Sequence, residues 1–218
     1  MASWIVHLRV AEKVAKKISG FEDELFWIGN IAPDSGTWDA RVKNYVPSPK
    51  ISHWCETDSK KTIQPDRFYI ENLEGKHQQK DALFYWGYYC HLITDVMWGD
   101  EIHYPIVDEF EKNPEMVSEN MKQYRKEQAY IDAVFLDHNE KFEALASLRK
   151  AAPIKNKWFD YFETEAMEQK RSEIILYCDY LKNESMETVF LNCDLVNDFV
   201  CRTAAKIVEK FRKLGVNQ

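Results

Sequence analysis

Apolar side chains return every third or fourth position along most of this chain, the spacing of one helix face rather than the alternation of a strand. From an N-cap at Ser3 to the break at Gly20, Val6, Val10, Val14 and Ile18, with Leu8 and Ala11, form one such stripe, and His7 stands beside it. A short second helix is expected from Asp23 to about Ile28, ending at Gly29-Asn30. The pattern then lapses over about residues 31–64, where Pro33, Gly36, Pro47 and Pro49 interrupt it. A gap this long in a compact protein marks disorder or a functional loop, and Trp38, Tyr45 and Trp54 predict an ordered loop packed on the body.

Periodicity resumes at Pro65-Asp66. The strongest segment runs from Lys76 to about Trp98 and is apolar on nearly every side after Asp81, which predicts a central helix surrounded by others. Further helices are expected at about 101–111, 117–136, 139–150, 156–182 (a stretch long enough to be divided) and 187–214. With no repeat, linker or low-complexity segment, residues 1–218 are expected to form one all-α, multihelical domain.

Composition narrows the partners. The chain is 45 % hydrophobic and 30 % charged, and its 29 basic and 36 acidic residues leave a formal charge of −7. The basic groups are scattered, and Lys206, Lys210, Arg212 and Lys213 read as a solvated helix face, so double-stranded nucleic acid is not expected as a partner. Twelve Phe, 11 Tyr and seven Trp predict a densely packed interior. No stretch approaches the roughly 20 apolar residues of a transmembrane helix. Charges interrupt the first ten residues well short of a secretion signal. Five cysteines without a C-x-x-C pair predict reduced thiols, and with them a cytoplasmic protein.

Chemistry concentrates in the central helix. His91 and Asp95 are one turn apart, so imidazole and carboxylate can reach one cation; the spacing alone equally suits a polar pair. Burying that Asp in so apolar a helix is costly unless something compensates it. Gly87, a turn earlier on the same face, would admit a close neighbour, and Tyr88 could offer a hydroxyl. Cys90 points about 100° away around the helix, against a Cys/His pair. Asp34 lies in a turn and suits a cap or a ligand; His53 sits in the long loop; His7 lies on a core-side helix; His77 reads as a surface residue. Together these side chains offer the nitrogen and oxygen donors zinc accepts.

In order along the chain, Trp4-Ile-Val-His7, Gly29-Asn-Ile-Ala-Pro-Asp34, the isolated His53 and Gly87-Tyr-Tyr-Cys-His91-Leu-Ile-Thr-Asp95 resemble the zinc-dependent phospholipase C and S1/P1 nuclease superfamily, in its shorter unsecreted bacterial branch. The resemblance spans the first hundred residues. It implies the fold of that superfamily and one or two zinc ions: Asp34, His53, His91 and Asp95 around one, and Asp95 bridging to a second held by His7. The family's processed N-terminal Trp has no counterpart, because Trp4 is internal. Its third group of ligands departs too: Asp100, Glu101 and His103 follow the helix, with His103 as the candidate, while His138 is followed four residues later by Phe142.

The implied activity is hydrolysis of a small phosphoester or lipid-like phosphodiester by metal-activated water, with Asp95 as catalytic bridge and an aromatic cleft drawn from Trp38, Tyr45, Phe68 or Trp98. A non-catalytic, metal-stabilised scaffold is the alternative, and the acidic charge disfavours the sister activity on single-stranded nucleic acid. Ferritin-like sites need a Glu-x-x-His pair on each of two helices, whereas Glu74 to His77 is a single such spacing; no His is followed directly by Asp; and no phosphate-binding or dinucleotide fingerprint occurs.

Overall fold

The computed structural model describes residues 1–76, 79 and 81–216. His77, read from sequence as a surface residue, lies outside them. The fold is all-α. Helix α1 (Trp4–Ala15) starts at Ser3, whose hydroxyl accepts from the Val6 amide, and stops short of Gly20. Its partners along the chain are α2 (Glu24–Ile31), α3 (Pro49–Ser52), α4 (Pro65–Asn72), α5 (Ala82–Trp98), α6 (Tyr104–Glu111), α7 (Val117–His138), α8 (Glu143–Lys150), α9 (Ala166–Tyr180) and α10 (Cys193–Lys213). Helix α5 is central as expected, but it begins at Ala82 rather than Lys76. The stretch before it is polar, from Glu74 through Lys76 to Asp81, and has nothing to bury.

Helix α5 packs most extensively on α2, and two glycines explain how. A Cβ on Gly29 would lie 1.9 Å from the Phe84 carbonyl oxygen, and one on Gly87 would lie 2.1 Å from that of Phe26. The two backbones therefore touch, each through the other's glycine. The close approach expected at Gly87 is real. Gly29 does not end α2, which continues through Asn30 to Ile31 and into a 3-10 turn at Ala32–Asp34. Gly29 is a packing glycine.

Around this crossing lies an aromatic core in which Phe84 stacks on Trp158 at 4.0 Å and Phe68 on Tyr88 at 4.7 Å. Such ring pairs add roughly 0.5–1.5 kcal/mol each beyond their buried area. Helix α5 leaves through a π-helical turn, Gly99–His103, directly into α6.

Two expected helices are shorter than their patterns. The 156–182 stretch is helical only over α9. Asn156 instead organises a turn, its side-chain amide donating to the carbonyls of Phe159 and Phe162 at 2.6 and 2.8 Å. The 187–214 stretch becomes helical only at Cys193. The amides of Val189, Phe190 and Leu191 each donate at 2.8 Å to the fully buried Glu127 carboxylate of α7, so they are not free for a helical ladder.

The long loop holds a small antiparallel hairpin, β1 (Thr37–Asp39) with β2 (Asn44–Val46), in which Trp38 faces Tyr45. Their rings meet edge to face at 5.5 Å and stay 56 % and 47 % exposed, so they pack on each other rather than on the body. Trp54 does pack inward, against Phe68 at 5.3 Å. The loop ends in a 3-10 turn, Lys60–Thr62. Among the described residues no helix is long and apolar enough to cross a membrane.

Candidate metal centre

The α2/α5 crossing sets the first ligand. At the contact the Asn30 carbonyl accepts from His91 Nδ1 at 2.8 Å. A carbonyl cannot donate, so Nδ1 carries a proton, and Nε2 is the ring nitrogen turned to the other donors. That Nε2 is buried and makes no hydrogen bond. One turn on, both Asp95 carboxylate oxygens are likewise buried without a hydrogen bond. Helix α1 brings His7, whose ring stacks on that of His91 at 3.7 Å with a 1° interplanar angle.

The loop supplies the other side. His53, at the end of α3, has Nε2 3.2 Å from Asp34 Oδ1 and 3.5 Å from Asp95 Oδ2. Asp95 Oδ1 faces His7 Nε2 at 3.2 Å, and Oδ2 faces His91 Nε2 at 3.6 Å. The carboxylate therefore turns its two oxygens to different histidines. Two donor groups result among the described residues, His7/His91/Asp95 and Asp34/His53/His91, each within 4.8 Å and sharing His91.

The surrounding groups hold the donors in place. Trp4 donates its indole N–H to Asp34 Oδ2 at 3.1 Å, and Ser52 Oγ lies 3.0 Å from His53 Nδ1. The buried Tyr88 hydroxyl donates to the Ser52 carbonyl, so it anchors the loop to α5 instead of lining the site. The Lys60 ammonium reaches His53 Nε2 at 2.8 Å and Asp95 Oδ2 at 3.5 Å.

Burial lowers the pKa of His7, aided by the neighbouring His91, and takes that of His53 down to about 4, aided by Lys60. Burial also opposes ionisation of Asp95, but the charge of Lys60 and the imidazoles of His7 and His91 outweigh it and hold the carboxyl well below its usual range. Asp34 is depressed in the same way, by His53 and Lys60 against its own burial. Neutral imidazoles beside ionised carboxylates are the protonation states that metal binding requires. The Lys60 ammonium stands as a tethered cation among the same donors. By donor chemistry, unbonded buried atoms and the stand-in cation, the residues fit a divalent metal such as zinc.

Other sequence candidates fall elsewhere. His103 joins neither donor group: its ring lies 5.3 Å from Tyr104 and 5.7 Å from Tyr124, and burial pushes its pKa down to about 4. Glu101 pairs with Arg202 and Lys206 of α10 at 2.7 and 3.1 Å. His138 is exposed and bonds to Val134 of its own helix.

A cleft of about 270 Å³ opens on the loop side, lined by Asp34, His53, Lys60, Trp4, Tyr45 and Lys170 among others. Of the four aromatics expected there, Tyr45 is present. Phe68 and Trp98 are buried in the core, where Trp98 donates to the Tyr124 hydroxyl at 3.2 Å, and Trp38 remains outside on the hairpin. Sequence reasoning missed Lys60, Lys170 and the Asn30 carbonyl. None has a local spacing signal, because each meets the site through tertiary contact.

Residues 6–187 match the family described as zinc dependent phospholipase C. No curated protein and no solved structure matches the chain.

Proposed function

The chain belongs to the zinc dependent phospholipase C family, and from that premise we propose that it is a phosphoester hydrolase acting on a small or lipid-like phosphodiester through metal-activated water. The observation that carries this reading is that Asp34 and His53 both belong to a candidate donor group and line the cleft. Bound zinc would lower the pKa of water and neutralise phosphoryl charge. The chain's own residues do the rest. Asn30 and Ser52 orient His91 and His53, Trp4 fixes Asp34, and Asp95 presents an oxygen to each side. Lys60 brings a positive charge to the border between the donors and the cleft, and the deep burial of His7, His91 and Asp95 keeps bulk water from their inner face.

That same burial, with each of these residues no more than 2 % exposed, favours a second reading in which the metal is closed in and only stabilises the fold. Five unbridged cysteines support placing the protein in the cytoplasm. The test is elemental analysis of protein purified without chelator, followed by assays on bis-nitrophenyl phosphate, short phosphatidylcholines and single-stranded oligonucleotides with Asp95→Ala as control. Metal together with turnover above the control is expected. Metal without turnover on any substrate selects the scaffold, and no metal even after supplementation removes both readings.

A further inference from the structure

The cleft beside the donor groups is unusual in the sign of its walls. Lys60 and Lys170 both line it, and among the described residues its one acidic lining residue, Asp34, belongs to a candidate donor group. Lys170 is 7 % exposed, and a lysine that deep is rare without a reason to be there. Its ammonium pairs at 2.5 Å with Glu173, whose side chain is 57 % exposed, and lies 4.7 Å over the Trp4 ring.

This last contact matters for recognition. A quaternary ammonium headgroup is bound by an open aromatic face or a nearby carboxylate. The Trp4 face is already covered by Lys170, and the Tyr45 ring meets Trp38 edge to face. Among the described residues no carboxylate besides Asp34 lines the wall. The Lys60 ammonium is held by Asp34 and Asp95 at 3.9 and 3.5 Å, whereas the partner of Lys170, Glu173, is largely exposed, so an anionic tail entering the cleft can take its place and a cationic tail gains nothing there.

We propose that this cleft binds phosphoesters whose organic group carries a further negative charge and rejects quaternary-ammonium headgroups, with Lys170 as the specificity-determining residue and Lys60 facing the phosphoryl end. The inference rests on the reading of the cleft as a phosphoester site, and it narrows the substrate class to anionic headgroups.

The experiment compares three phosphomonoesters that share a phosphoryl group and differ in the charge of the tail: phosphorylcholine, ethyl phosphate and 2-phosphoglycolate. Each is titrated calorimetrically into zinc-loaded wild type, Lys170→Met and Glu173→Gln. In wild type, 2-phosphoglycolate should bind on the order of tenfold tighter than ethyl phosphate, the scale of one partly screened charge pair, and phosphorylcholine should bind weakest. Lys170→Met keeps the packed stem and should bring the three affinities within about threefold of one another. Glu173→Gln unmasks Lys170 and should widen the preference; being on an exposed side chain, it also keeps the test alive if Lys170→Met does not fold.

Phosphorylcholine binding as tightly as 2-phosphoglycolate, or no binding of any probe, overturns the proposal. So does a preference that neither variant moves, since carboxylate coordination to zinc would be indifferent to both. Turnover of bis-nitrophenyl phosphate separates the two claims. Selective binding without turnover above Asp95→Ala removes the hydrolase and leaves the selectivity, whereas turnover with a choline preference does the reverse.

Discussion

The two sides of the candidate metal centre are built from different material. His7, His91 and Asp95 stand on α1 and α5, in a region so tightly packed that two glycines are needed for the backbones to pass. Asp34, His53 and Lys60 stand on turns of the long loop, where the Asp34 and Lys60 side chains keep 22 % and 21 % exposure. The helical side has its donor geometry set by the fold, down to the proton on His91 Nδ1. The loop side is tied to the body by the Tyr88 hydroxyl on the Ser52 carbonyl, the Trp4 indole on Asp34 and Trp54 against Phe68, and it forms the cleft wall. Donors carried on helices are held more precisely than donors carried on turns, and here the turns are the part that borders the cleft.

The strongest way to break the comparison is to disturb the crossing. In Gly87→Ala the new methyl would need the space of the Phe26 carbonyl, which is backbone and cannot rotate away. Overpacking of this kind costs about 3 kcal/mol or more. Urea unfolding should show that loss or a failure to fold, and near-wild-type stability would mean that the crossing is looser than it stands here.

Next in size is removal of the metal. At a hundredfold excess of zinc over Kd, binding adds about 2.7 kcal/mol of stability, so chelation should lower Tm measurably. Asp95→Ala and His91→Ala should abolish zinc retention and the chelator-dependent shift. Asp34→Ala should weaken zinc while preserving the fold, because its neighbours are turns. If Asp34→Ala unfolds the protein and Asp95→Ala does not, the relation between the helical and loop sides is reversed.

The same division explains what could be read from sequence. His91 and Asp95 were legible because one helical turn separates them, and α5 was legible as central because it is apolar on all sides. Gly29 was read as a helix stop because local rules know glycine as a terminator; only the partner helix reveals it as a point of contact. The segment before α10 keeps a helical period yet is not helical, since Glu127, some sixty residues away, takes its amides. Lys60 and Lys170 carry no local signal at all, because a charge run and a cleft wall look alike until the chain folds. Periodicity captures what a helix does for itself and is blind to what a distant residue asks of it.

Asp132 sharpens the helical side. It is fully buried on α7 and accepts from Ser3 Oγ at 2.8 Å and Tyr177 OH at 2.9 Å, tying the start of α1 to α9. Burial raises its pKa from the ordinary carboxylate range to about 7, more than those hydrogen bonds lower it. The folded state thus holds this proton more tightly than the unfolded state. Its stabilising contribution is complete below about pH 4 and is lost as pH rises through about 7, and the part lost between pH 5 and pH 8 is on the order of 2–3 kcal/mol. Asp132→Asn should flatten that slope in urea unfolding measured from pH 5 to pH 8. An unchanged slope would assign the pH dependence to other groups.

The smallest effect is expected on the hairpin. Trp38 is large and apolar, and in the core such a residue would cost 3–5 kcal/mol on truncation to Ala. Here more than half of its surface already meets water, and its ring contact is with Tyr45, itself half exposed. Little buried area is lost when it is removed, and no cavity forms. Trp38→Ala should therefore change unfolding free energy by no more than about 0.5 kcal/mol and leave zinc content at the wild-type level. Both readouts matter, because the hairpin lies between Asp34 and His53 in the chain and is the shortest route by which a surface change could reach two donors. A drop in zinc with stability intact would show that the hairpin positions the loop donors, and a drop in both would place Trp38 against the body after all.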